Sequence, residues 1–72
     1  METKKEIRYI IMILNMIARK YDIGIRDVYK YLDTYKGVAF LHEFYDVEHT
    51  LNTDDVIDDV LAVCSQNGGH LR

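Results

Sequence analysis

From Glu6 to Tyr21 apolar residues return every three or four positions with no glycine or proline to interrupt them, and this run decides the fold class. Ile7, Ile10, Ile11, Leu14, Ile17, Ala18 and Tyr21 form one stripe at helical spacing, which predicts a core-facing surface. Tyr9, Met12, Ile13 and Met16 lie off that stripe, so only Arg8, Asn15 and Arg19 remain as a polar strip. A strand over Tyr9 to Leu14 would suit its isoleucines. Against it, the helical period continues to Tyr21, and Thr3-Lys4-Lys5-Glu6 reads as a capping box that starts a helix.

Proline is absent, and the four glycines, Gly24, Gly37, Gly68 and Gly69, punctuate the rest. Gly24 suits the cap of a second helix carrying Ile25, Val28, Tyr29, Leu32 and Tyr35, and Gly37 suits the left-handed position that closes it. A third helix is predicted from Val38 through Phe40, Leu41, Phe44 and Tyr45, ending between Asp46 and Thr50. Asn52 caps a fourth, with Val56, Ile57, Val60, Leu61 and Cys64 on its buried face and Asn67-Gly68-Gly69 as its stop. The expected architecture is all-α: a compact bundle of about four helices forming a single domain over residues 1–72.

A 72-residue chain buries only about 60% of its unfolded surface, so its core must be dense. A hydrophobic share of 49% with 29% charged residues excludes both a disordered tail and a membrane protein. Tyr9 to Ala18 follows three basic residues, as a signal peptide would. Asn15 interrupts it, however, Arg19-Lys20 follow it, and its length of about ten residues cannot span a bilayer. Cys64 is the single cysteine, so no intramolecular disulfide forms, and a cytoplasmic location is expected.

The net charge of −3 is the sum of unequal halves. Residues 1–36 carry eight Lys/Arg against five Asp/Glu, and residues 37–72 carry one against seven. Complementary halves can be satisfied within the fold or between two copies, and the balance argues against nucleic acid as the partner of the whole domain.

Asp54, Asp55, Asp58 and Asp59 fall on the polar side of the fourth helix as like-charge i,i+4 pairs, a solvated face or a docking face for a basic partner. His42, Asp46 and His49 would share one face if the third helix reached His49, but a tetrahedral metal site needs a fourth donor. Cys64 sits in an apolar stripe, where a thiol is a small hydrophobe. Glycine-rich phosphate loops, paired Cys-x-x-Cys motifs and Ser/His/Asp arrangements are missing, so neither catalysis nor a cofactor or metal is expected. The second and third helices lack the Lys/Arg cluster that a helix-turn-helix reader of nucleic acid requires.

Helix 1 is the anomaly. Tyr9, Met12, Ile13 and Met16 left in water would make a patch that soluble monomers avoid, so either this helix is central or these residues form an interface.

The string Tyr35-Lys36-Gly37-Val38-Ala39-Phe40-Leu41-His42-Glu43, continued by Phe44-Tyr45-Asp46-Val47-Glu48-His49-Thr50 and an acidic helix with Asp54-Asp55, resembles an uncharacterised bacterial family, domain of unknown function 3791. Gly24 departs from the family pattern, where a hydroxyl cap is expected. The resemblance implies a small helical protein with no established activity, so no catalytic residues carry over. Some members are encoded beside ADP-ribosyltransferase-like proteins, an arrangement similar to toxin-antitoxin pairs. The expectation is a helical protein-interaction module, self-associating as a homodimer or serving as an antitoxin-like or regulatory partner. The alternative is nucleic-acid binding through the basic N-terminal half.

Overall fold

The computed structural model describes residues 4–70, so the Thr3 half of the predicted capping box lies outside the described residues. Five helices follow in order: α1 (Lys4–Tyr21), α2 (Ile25–Thr34), α3 (Gly37–Glu43), α4 (Tyr45–Glu48) and α5 (Thr53–Gln66). The all-α bundle expected from periodicity is what forms. At about 1.5 Å per residue α1 is about 27 Å long, close to the 30 Å longest dimension of the molecule. No helix among the described residues is long and apolar enough to cross a membrane.

The helix ends follow local chemistry. Asp22 adopts φ 55°, which lets the Ile23 N–H reach back to the Ala18 carbonyl at 2.9 Å and close α1 in a Schellman turn. Gly68, at φ 94°, does the same for α5, with the Gly69 N–H on the Cys64 carbonyl at 2.9 Å. The Asn52 side chain caps α5, accepting from the Asp55 N–H at 3.0 Å.

Gly37 corrects one expectation. Lys36, at φ 71°, takes the left-handed position, and Gly37 instead opens α3, buried where a Cβ would lie 2.8 Å from both Cys64 Sγ and Leu32 Cγ. The glycine permits close approach between α3, α2 and α5 rather than a backbone turn.

The predicted third helix is two. Phe44 breaks it with φ −107° and ψ 21°, the sparsely populated bridge region, with neither glycine nor proline to mark the spot. Short α3 is the central element and packs against each of the other four helices. The core joins Ile10, Ile13, Leu14 and Ile17 of α1 to Val28 and Leu32 of α2, Val38 and Leu41 of α3, and Val56, Ile57, Val60 and Cys64 of α5. Each large side chain sealed there contributes about 1.5–3 kcal/mol of transfer free energy.

Candidate interaction surface

Helices α2, α3 and α5 pack on one side of α1, and Tyr45 of α4 meets Tyr9, but the far side of α1 is left in water. The buried arc runs through Ile10, Ile13, Leu14 and Ile17, rotated from the predicted stripe by roughly 50°, half the angular step between successive residues. Ile13 therefore has 0% exposure, while Ile11 and Ile7, expected in the core, are 47% and 43% exposed. Among the four residues proposed as an interface, Ile13 belongs to the chain's own core and is unavailable to any partner. Tyr9 and Met16 are half-buried against that core, and only Met12 is exposed, at 42%.

The apolar surface that exists spans two helices. Ile7, Ile11 and Met12 of α1 lie in water with Ile25 and Tyr29 of α2. Shallow depressions run across this side, one over α1 at Ile11, Met12 and Met16, one between α1, α2 and α3 at Ile7, Ile11 and Tyr29, and one at Leu14, Ile25 and Tyr29. Ile11 belongs to the first two, and Leu14 and Tyr29 to the last two, so the surface is continuous. Its charged lining is Arg8, Arg19, Arg26 and Lys30, with His42 at the α3 edge and no carboxylate. Arginine and lysine stems lie along apolar surface while their heads stay hydrated, so these four side chains extend the apolar surface they line.

The α5 aspartates are all exposed, yet they do not act as one surface. Asp54 lines a groove with Arg19 and Lys20 of α1, and Asp55 accepts from Asn52 Nδ2 at 3.0 Å. Asp59 lies against Glu48 of α4, leaving Asp58 as the member of the set with no contact of this kind. Among the described residues none of the four is ion-paired to an α1 lysine or arginine. Further exposed apolar side chains, Phe44, Val47 and Leu51, follow one another at i, i+3 and i+7 through α4 and the turn after it.

His42, Asp46 and His49 are not brought together. The break at Phe44 takes them off one face: His42 Nδ1 donates to Glu6 Oε2 at 3.2 Å, and His49 donates to the Tyr45 carbonyl at 2.6 Å while its ring stacks on Tyr45. Among the described residues no three His, Cys, Asp or Glu side chains converge as metal ligands. Cys64 is sealed at 0% exposure. Burial pushes its thiol up, and the Gly37 backbone N–H works the other way.

Sequence reasoning missed a buried acid. Glu48 is 5% exposed, with Oε1 buried and unpartnered, as is the Tyr9 hydroxyl. Burial raises the Glu48 carboxyl above its ordinary value, and the neighbouring Asp59 adds to that by charge and by hydrogen bonding. Tyr9 is pushed up to about 12 by burial first, then by Glu48 and Tyr45, whose ring meets it edge-on at 5.4 Å. No periodicity marks Glu48, because it turns inward only once Phe44 has broken the helix.

A family model described as a protein of unknown function (DUF3791) matches residues 8–67, from the second turn of α1 to the end of α5. The chain belongs to this family. Both apolar patches, apart from Ile7, lie within the match, and the family description assigns no activity to them. No curated protein and no solved structure matches the chain.

Proposed function

We propose that this chain is a protein-interaction module that docks an acidic, partly apolar protein segment on its α1–α2 face. One observation carries the reading: five large apolar side chains stand exposed along depressions whose charged lining is Arg8, Arg19, Arg26, Lys30 and His42, with no carboxylate. Tyr, Met and Arg are the residue types enriched where proteins meet, and a surface greasy at its centre suits a partner that brings its own apolar side chains. A phosphate backbone would leave Ile11 and Tyr29 unmatched. The reading involves no catalysis, cofactor or metal, and places the protein in the cytoplasm, in keeping with its lone buried thiol. An antitoxin-like or regulatory partner of a neighbouring gene product is one form such a module takes.

The test is a photoreactive side chain placed at Ile11 or Tyr29, with the exposed α5 positions Asp58 and Gln66 as controls. We expect cross-links from positions 11 and 29, several-fold above the controls, into acidic protein segments that also carry apolar residues. Equal labelling at all four positions overturns the reading. Salt-dependent retention on DNA or RNA that is lost when Arg8, Arg19, Arg26 or Lys30 is neutralised would replace it with nucleic-acid binding.

A further inference from the structure

Resting on that docking reading, we infer that the α1–α2 face of one copy receives the Phe44–Val47–Leu51 patch of a second copy, so that chains associate head to tail. Among the described residues two groups of exposed apolar side chains stand out, and their surroundings carry opposite charge. Apart from His42, the charged side chains that line the α1–α2 depressions are all cations. From Gly37 to His70 the sequence has no lysine or arginine and seven carboxylates, and Glu43 and Asp46 lie exposed beside Phe44 and Val47. Lys36, just before this stretch, is the one cation in the groove at Phe44.

The same charges decide the mode of pairing. A symmetric contact of the α1–α2 face with itself sets Arg8, Arg19, Arg26 and Lys30 against their own copies, a like-charge juxtaposition that costs several kcal/mol. Joining unlike faces puts cations opposite carboxylates and apolar centre on apolar centre. A stable contact buries about 800 Å² per partner, near one-sixth of the 4971 Å² surface, so one copy can offer both faces at once. Such a contact closes into a small ring or continues as a chain, according to its rotation.

Sedimentation of the full chain, alone and as two variants, tests this. Wild type is expected to gain mass with concentration and to lose it with added salt. Ile11→Asp and Val47→Asp replace exposed side chains, so both variants fold, which circular dichroism checks. Each is expected to weaken association at least about tenfold. Mixed in equal amounts they recover a one-to-one complex, because the intact α1–α2 face of the Val47→Asp chain still meets the intact Phe44–Leu51 patch of the Ile11→Asp chain. The inference falls if wild type stays monomeric at every concentration, if Val47→Asp associates as well as wild type, or if the mixture stays monomeric. A monomeric wild type that still cross-links through Ile11 to another acidic protein leaves the docking reading standing and removes only the second copy. Loss of cross-linking as well removes both.

Discussion

On its α1–α2 side the molecule leaves isoleucine, methionine and tyrosine in water; at α4, a helix of four residues, it turns a glutamate inward. Both are local violations of the rule that apolar groups are buried and charges are not, and they differ in who can relieve them. Among the described residues nothing covers the exposed apolar face, since α2, α3 and α5 lie on the other side of α1, and in the docking proposal another molecule covers it. Glu48 has a remedy that needs no partner, because a proton neutralises it. The first region is thus where the docking proposal is tested and the second where pH is expected to act.

The largest effect should separate the two faces of α1. Ile13→Ala empties a site with 0% exposure and is expected to cost about 2–5 kcal/mol in denaturant unfolding. Ile11→Ala, two positions away and 47% exposed, should cost under about 0.5 kcal/mol when measured on the dissociated chain. Equal losses would break the comparison, since α1 would then have no outer face.

The next effect belongs to Glu48. Its folded-state carboxyl is raised above the ordinary 4.5, so through that window the folded chain keeps a proton that the unfolded chain has released. The stability tied to the neutral acid is fully present below the ordinary value and is lost as pH climbs through the folded one. Glu48→Gln cannot ionise and donates an amide N–H toward Asp59. At neutral pH it should stabilise by about 1–3 kcal/mol, the scale of relieving a buried unsatisfied polar group, and melting curves across pH should flatten between acid and neutral. A variant with the wild-type slope would show that Glu48 is not the lever.

Tyr9→Phe gives the smallest effect. It removes a buried hydroxyl without a partner, and stability at neutral pH should be unchanged or higher by less than about 1 kcal/mol. Wild type, whose Tyr9 hydroxyl is raised to about 12, should lose stability as pH rises beyond 10. The phenylalanine variant should lose less. A clear loss of stability in Tyr9→Phe at neutral pH would mean that the hydroxyl is satisfied after all.

Much of the fold was legible because its signals are local. Asn52 and the Gly68 stop act within a few residues of where they stand, and they behave as read. Gly37 was misread because its role depends on Leu32 and Cys64, both brought beside it by packing. Of the candidate surface, Met12 stands out in the sequence directly, while Ile7 and Ile11 read as core and Ile25 and Tyr29 as members of the second helix's apolar stripe. Those stripes locate an apolar arc but not which part of it the neighbouring helices will cover.

The amino-acid order alone determined that this chain is helical, where most helices begin and end, and that its charges divide between the two halves, because each follows from spacing, capping and composition. Tertiary structure decided which isoleucines of α1 are sealed, that Phe44 breaks a helix without a breaker, and that Glu48 points inward. A helix apolar over most of its circumference has several faces of similar burial energy, and only the helices that pack against it choose among them.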